Sequence, residues 1–250
     1  MNAFLSVLAT VALFGSALAA SNRVVGGEFA ERGQFPFQAA ITFRGQLRCG
    51  AVLVTEKFLL TTASCFYDGD NQIPQQRLGA FLGSERLMIA GVHRRIKAIT
   101  EHENFEKATL KNDLAIVELN KPVEFTDALG AATLHETAFS EGGPITVAGW
   151  GRTAELENTS YKLKFGTLNV LSEADCQTEL GDRYYQGALC AKTEEAGVCV
   201  GDYGGPAVSD NALVGIASYT VDGACGTDKP DVFVDVGYFY DFIKEHTGSA

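Results

Sequence analysis

The sequence predicts an all-β protein. Apolar residues come in short runs that partly alternate with polar ones, for example over 38–43, 114–119 and 213–219. β-Branched and aromatic side chains are frequent in these runs, and the chain's 27 glycines punctuate them. These features are typical of strands joined by turns. Many short strands indicate either a sandwich or a barrel, and periodicity does not decide between the two.

The C-terminal end carries the one clear helical pattern. Val236, Phe239, Tyr240 and Ile243 follow one another at spacings i, i+3, i+4 and i+7, which places them on one face of a helix. We therefore expect a late helix that packs this face against the strands.

The N-terminus predicts secretion. An apolar run over 5–18 leads into the sequence Ala-Leu-Ala-Ala at 17–20. This pattern is typical of a signal peptide that is cleaved after Ala19 or Ala20. The run is shorter than the roughly 18 to 20 apolar residues that a membrane span needs. We predict a signal peptide at 1–20, no membrane span and an extracellular location.

The cysteines are expected to form disulfides. Secretion exposes them to an oxidising environment, and their even number permits many pairings. Their spacings match neither a zinc ribbon nor a redox CxxC motif, so we expect no metal site and no cofactor. The six are Cys49, Cys65, Cys176, Cys190, Cys199 and Cys225.

The net charge limits the classes of partner. A formal charge of −11 repels phosphate backbones and anionic lipid, so nucleic acid is not an expected partner. The segment 93–97, His-Arg-Arg-Ile-Lys, is a local basic exception. It is interpreted as a solvated strand face, with a polyanion site as the alternative.

Six short segments, taken in order, resemble those of one enzyme family. Each alone is a moderate signal, whereas their order and spacing together are specific. The chain from Val24 to about His246 is similar to the chymotrypsin/trypsin-like serine proteases. The segments are Arg-Val-Val-Gly-Gly at 23–27, Thr-Thr-Ala-Ser-Cys at 61–65 with Asn-Asp-Leu-Ala-Ile at 112–116, Ala-Gly-Trp-Gly at 148–151, Gly-Asp-Tyr-Gly-Gly-Pro at 201–206 and Lys-Pro-Asp-Val-Phe at 229–233.

The resemblance implies a specific architecture. It implies two six-stranded antiparallel β-barrels, roughly 24–130 and 131–235, with a cleft between them and a C-terminal helix. A short propeptide, 21–23, would precede this domain, without a clip domain. The resemblance also implies the disulfides Cys49–Cys65, Cys176–Cys190 and Cys199–Cys225.

Two positions of the family's catalytic triad are substituted. The family's histidine position holds Ser64, and its nucleophilic serine position holds Tyr203. Asp113 alone is retained. The backbone N–H groups of Gly201 and Tyr203 occupy the positions that hold the oxyanion in the family. The resemblance therefore predicts an inactive homologue, a pseudoprotease.

No histidine occupies a catalytic motif. His93, His102, His135 and His246 are expected to have surface or packing roles. A tyrosine phenol, with a pKa near 10, needs an adjacent base or cation to attack a carbonyl at neutral pH. An enzyme with a rebuilt catalytic centre remains the alternative.

The activation site of the family is retained. Arg23-Val24 resembles the cleavage site, and Asp202 is the partner that the new α-ammonium would meet. Cleavage would reorganise the neighbouring loops. It is either a switch for binding or an inherited site without consequence.

The substrate pocket is altered relative to trypsin. The position at its base is Gly197, and Asp231 on a nearby wall is a candidate anion. In trypsins, a glycine leaves the entrance of the substrate pocket open, and the corresponding residue here is Thr220. It follows Ser218 and Tyr219 in the sequence. With a tyrosine at the cleft centre, we expect a narrowed, partly plugged groove.

These observations predict a secreted regulatory or binding protein, monomeric, with a protein partner (a protease, its substrate or a receptor). Segments 61–66 and 230–233 resemble azurocidin, an inactive relative, and the short leader resembles arthropod homologues of immune or clotting cascades. A bulk salivary or gut protein is a further alternative. Asn158 begins a sequon, Asn-Thr-Ser, and is a candidate glycosylation site.

Overall fold

The computed structural model describes residues 27–139, 142–152, 158–193 and 196–249. The predicted signal peptide, propeptide and Arg23-Val24 cleavage site lie outside these residues. Within the described ranges, no helix is long and apolar enough to cross a membrane.

The described residues form sixteen strands and two α-helices. The strands are β1 (Glu28–Phe29), β2 (Gln38–Phe43), β3 (Gln46–Leu53), β4 (Phe58–Thr61), β5 (Tyr67–Asp68), β6 (Asn71–Gln72), β7 (Leu78–Leu82), β8 (Val92–Glu101), β9 (Ala115–Leu119), β10 (Thr133–Leu134), β11 (Pro144–Gly149), β12 (Lys164–Val170), β13 (Ala188–Lys192), β14 (Pro206–Ser209), β15 (Ala212–Thr220) and β16 (Asp231–Asp235); the helices are α1 (Glu173–Leu180) and α2 (Tyr240–Thr247).

The first barrel is a closed ring of six antiparallel strands in the order β2-β3-β4-β9-β8-β7. Successive side chains of a strand point to opposite faces, so alternate apolar residues fill the interior. Ile41, Leu53, Leu59 and Val117 belong to this buried cluster. Closure removes the free edges that an open sheet would expose.

The second barrel contains β11 to β16. Its strands pair in the order β12-β11-β14-β15-β16-β13, and a further pairing between β12 and β13 closes the ring. Ile145, Leu168, Leu189 and Phe233 lie in its buried cluster. The predicted pair of six-stranded antiparallel barrels is confirmed.

A third apolar cluster joins the two barrels. It combines Leu60 and Ile116 from the first barrel with Ile216 and Val234 from the second, and Ile243 of α2 packs into it. All five are buried, at 2% exposure or less. This shared core fixes how the barrels face each other, because separating them would expose it to water.

The C-terminal helix begins later than the sequence pattern predicts. It spans Tyr240–Thr247, so Val236 and Phe239 precede it. The carboxylate of Asp235 accepts the backbone N–H groups two and three residues further on, at 2.9 and 3.2 Å, and this turn delays the helix. The two preceding residues are nonetheless buried in one cluster with Ile243.

Helix α1 was not predicted from the sequence. Only Cys176 and Leu180 of this helix are buried, so it has little apolar periodicity to detect. Its start is fixed locally, since the Ser172 hydroxyl accepts the backbone N–H of Asp175 at 3.1 Å in the manner of an N-cap.

All three disulfides implied by the family resemblance are confirmed. The structure contains no free cysteine among the residues it describes. The bonds are Cys49–Cys65, Cys176–Cys190 and Cys199–Cys225.

We predict that Gly50→Ala destabilises the fold. A Cβ at Gly50 would lie 2.7 Å from both Cα and N of Gly205, which are backbone atoms that cannot rotate away. Overpacking of this kind costs about 1–3 kcal/mol in the free energy of unfolding. Urea denaturation measures the change.

The matched control is Gly130→Ala, whose Cβ would approach no closer than 3.8 Å, to Pro36. Its unfolding midpoint should stay near that of the parent protein. Equal midpoints for the two variants would contradict the prediction.

Candidate active-site cleft

Asp113 lies at the centre of the cleft. Its side chain is fully buried, with 0% exposure, and accepts hydrogen bonds that include three from Ser64 and Ser218. Ser64 donates two of them, from its backbone N–H at 2.7 Å and its hydroxyl at 2.8 Å. Ser218 donates the third from its hydroxyl at 2.7 Å. The residue at the family's histidine position is therefore bonded directly to the retained aspartate.

Local structure places each of these three groups. Asp113 comes just before β9, after Asn112 with its positive φ of 54°. Ser64 belongs to a single 3₁₀ turn, Ala63–Phe66, that follows β4. The pairing of β15 with β16 shifts register between Ala217 and Tyr219, and such a bulge re-aims the Ser218 side chain.

Burial controls the charge of Asp113. It raises the pKa of this carboxyl to about 6, and the hydrogen bonds from Ser64 and Ser218 oppose that rise only in part. Ser218 was predicted as a pocket residue, whereas the structure assigns its hydroxyl to Asp113. The sequence signal for that role is slight: Ser218 is a polar residue inside the apolar run 213–219.

Tyr203 points into the protein. Its backbone carbonyl accepts the N–H of Gly50 at 2.8 Å, and its partly buried ring packs against the second-barrel cluster. Burial raises the pKa of the phenol, and the nearby negative charges of Asp231 and Asp202 raise it further. The phenol therefore lies on the side of the substrate pocket.

Asp231 lies against the base of this pocket. A Cβ at Gly197 would lie 3.1 Å from Oδ2 of Asp231, and that oxygen accepts the N–H of Val198 at 2.8 Å. Asp231 is 5% exposed, and burial raises its pKa to about 7. Thr220 is its partner across the strands β15 and β16, so this buried carboxyl group lies beside two predicted pocket residues, Gly197 and Thr220.

Tyr219, another predicted pocket residue, is buried on β15. It packs in a cluster with Cys176, Cys190 and Val232. The guanidinium of Arg183 lies 5.0 Å from the centre of its ring, a cation–π distance. The ring is therefore held by contacts on the side of Cys176 and Arg183.

Asp202, the predicted partner of the new N-terminus, is buried beside Gly149 and Gly151. It accepts the N–H groups of Gly151 at 2.6 Å and Cys199 at 3.1 Å. A Cβ at either glycine would overlap its side chain. Burial raises the pKa of Asp202 to about 7, and no described residue forms an ion pair with it.

The oxyanion position is shaped by backbone conformation. Gly201 has a φ of +102°, and a Cβ there would lie 3.0 Å from Cα of Gly151. Glycine is therefore required at this position. Among the described residues, no backbone carbonyl accepts the N–H of Gly201 or of Tyr203.

The histidines have packing or surface roles. The ring centroid of His102 lies 4.9 Å from that of Phe239 and 4.7 Å from that of Phe242, and burial lowers its pKa. The ring centroid of His93 lies 5.0 Å from that of Phe81, with the two rings tilted relative to each other. In the described part of the chain, no group of three or more His, Cys, Asp or Glu side chains has the arrangement of a metal site.

The sequon residue Asn158 is exposed. Exposure is compatible with a glycan at this residue, and its glycosylation remains a prediction. Its neighbour Thr159 pairs with Arg152 in an isolated bridge.

We predict that the uncleaved protein gains stability as pH falls from about 8 to about 5. The native pKa values of Asp113, Asp202 and Asp231, about 6, about 7 and about 7, exceed the value near 4 of an unfolded chain. The native state thus binds more protons between pH 4 and 7. Each group contributes up to about 1.4 kcal/mol per pH unit.

Urea unfolding across this pH range measures the trend. The variant Asp231→Asn, which cannot titrate, should show a shallower rise. A free energy of unfolding that stays flat or falls towards pH 5 would contradict the prediction.

We also predict that Tyr203→Ala opens a pocket for a cationic ligand. Removing the ring leaves space beside the Asp231 carboxylate, so benzamidine should bind the variant and not the parent protein. Binding should strengthen above pH 7, where Asp231 is ionised. Isothermal titration calorimetry measures the affinity.

The matched control is Tyr203→Ala/Asp231→Asn, which keeps the space and removes the charge. It should bind benzamidine at least about tenfold more weakly, as expected for a lost charge-assisted contact. Equal affinities for the two variants, or binding by the parent, would contradict the assignment.

Comparison with known proteins agrees with this geometry. The family model described as Trypsin matches residues 24–243. Serine protease SP24D of Anopheles gambiae is 31% identical over 223 residues, covering 89% of this chain and 80% of that protein. Trypsin 5G1 of Aedes aegypti is 30% identical over 244 residues, covering 93% and 88%.

A solved structure gives the same result. Neuropsin, a serine protease expressed in the limbic system of mouse brain, is similar with a TM-score of 0.80 and 25% identity, over 88% of this chain and 98% of that one. The matched region contains both barrels and the cleft described above. The chain therefore belongs to the trypsin-like serine protease family.

Proposed function

We propose that this chain is a secreted, catalytically inactive member of its family that acts as a binding or regulatory protein in an immune or proteolytic cascade. The observation that carries the proposal is the bonding of Ser64 to Asp113 at the position where the family places its catalytic histidine. Three disulfides support the extracellular location.

The first supporting argument concerns proton transfer. The family's nucleophile is activated when a histidine nitrogen accepts its proton. The Ser64 hydroxyl instead donates to Asp113, and a neutral hydroxyl is a far weaker base than imidazole. Tyr203 has a raised pKa, so its phenolate, the nucleophilic form, is scarce at neutral pH.

The second argument concerns substrate binding. The Tyr203 ring packs against the second-barrel cluster, close to Asp231. A peptide side chain would have to displace this ring to reach the pocket base. Loss of both the general base and the nucleophile in a comparable triad removes on the order of 10⁶ in rate. Binding by outer surfaces is then the function that the scaffold still supports.

The third argument concerns activation. Buried Asp202 forms no ion pair with any described residue, and an unpaired buried carboxylate is costly. An α-ammonium freed by cleavage between Arg23 and Val24 would supply the opposite charge. Cleavage would thereby stabilise the loop that contains Tyr203. We propose that cleavage in this way acts as a switch for partner binding.

The test measures peptide hydrolysis by protein cleaved after Arg23. We expect no turnover above the uncatalysed rate, either from the parent or from Asp113→Ala. Turnover by the parent that Asp113→Ala abolishes would overturn the proposal and favour a rebuilt catalytic centre.

A restored variant provides the positive control. Ser64→His/Tyr203→Ser returns the base and the nucleophile and also empties the pocket. We expect measurable hydrolysis that requires Asp113, because the oxyanion position at Gly201 and the orienting carboxylate are retained. If the parent protein hydrolysed the peptide as fast as the restored variant, this result would contradict the proposed inactivity.

A further inference from the structure

We propose that the outer face of the first barrel binds an acidic segment of a partner protein. The surface, here called the basic face, consists of four exposed cations: Arg44, Arg77, Arg95 and Lys97. It includes part of the basic run that the sequence analysis singled out. It lies on β8 and beside the ends of β2 and β7, away from the segments that contain Ser64 and Tyr203, so the inference does not depend on the catalytic state of the cleft.

Strand pairing brings these four residues together. The backbone N–H of Arg44 donates to the carbonyl of Arg77 at 3.0 Å, just beyond the paired strands β2 and β7. The Gln75 side chain donates to the Lys97 carbonyl at 2.8 Å, which holds the segment before β7 against β8. Arg95 and Lys97 are both exposed on β8, on either side of Ile96, where the pairing with β9 shifts register between Ile96 and Ala98.

Gly79 and Thr42 lie between the cations of the basic face. Gly79 lies directly opposite Arg95 across β7 and β8, and it also pairs with Thr42 of β2. Gly79 has no side chain, and a Cβ there would lie 3.1 Å from the Thr42 hydroxyl oxygen, so small residues separate Arg95 from β2. The guanidinium of Arg44 lies 5.1 Å from the ring of Phe43, which restrains it at the rim.

The cations of the basic face are largely uncompensated. Arg77 and Arg95 form no ion pair within the described part of the chain, and Lys97 shares Glu118 with Lys57. Neighbouring Arg94, by contrast, donates to a backbone carbonyl and is used structurally. Free guanidinium groups are suited to bind carboxylates through paired hydrogen bonds.

The negative charge of the rest of the molecule favours a short anionic ligand over an extended one. The whole chain carries −11, so an extended polyanion such as a sulfated glycan would meet repulsion beyond the edges of the basic face. The face itself spans three strands, roughly 10 Å at the usual strand spacing. A short run of Asp or Glu side chains fits that footprint, so an acidic peptide segment is the ligand.

The experiment measures fluorescence anisotropy of a labelled oligoglutamate peptide with the full-length chain. Arg77→Glu/Arg95→Glu should weaken binding at least about tenfold, since it replaces attraction by repulsion. The control Arg32→Glu/Lys192→Glu makes the same change in net charge at exposed cations outside the face, and should weaken binding by less than about threefold. Thermal unfolding confirms that both variants fold.

Three outcomes would overturn the inference: equal weakening by both double variants, no binding by the parent at low salt, or tighter binding of a heparin oligosaccharide that Arg77→Glu/Arg95→Glu abolishes. The last would assign the face to a glycan. The restored variant Ser64→His/Tyr203→Ser should keep its affinity for the peptide, which separates this test from that of the proposed function.

Discussion

The geometry of the cleft depends on one buried carboxylate, Asp113, which accepts hydrogen bonds from both barrels. Ser64 follows a strand of the first barrel and Ser218 lies on a strand of the second, and both hydroxyls donate to the same oxygen, Oδ2, at 2.8 and 2.7 Å. A buried carboxylate without such partners is strongly destabilising. The two barrels are therefore held at one separation by a polar contact as well as by the apolar cluster between them.

A second constraint is the close approach of two backbones across the cleft. Gly50 of β3 meets Gly205 so closely that no Cβ fits between them, and the N–H of Gly50 donates to the carbonyl of Tyr203 at 2.8 Å. Gly204, with a φ of +87°, lies against Thr61 and Gly50. This contact fixes the backbone position of Tyr203. The direction of the Tyr203 ring therefore depends on how the loop packs against β3.

Charge is distributed unevenly over the molecule. Three acids, Asp113, Asp202 and Asp231, are buried with raised pKa values, where family members use such groups to orient a base, to hold the new N-terminus or to recognise a substrate. Exposed cations gather on the outer face of the first barrel, on a chain whose total charge is −11. The three acids are thus enclosed within the molecule, while these exposed cations lie on a separate surface.

The sequence by itself determined the strand content, the family and the disulfide pairing implied by that family, because these depend on residue identity and order. It also predicts, from the resemblance, that two triad side chains are substituted, by Ser64 and Tyr203. The tertiary structure decided where side chains point. Ser218 bonds to Asp113 because a bulge in β15 turns it inward, and Tyr219 faces another cluster. Helix α2 starts at Tyr240, after a turn held by Asp235. Such directions depend on registers and contacts between residues far apart in the chain, which no local pattern encodes.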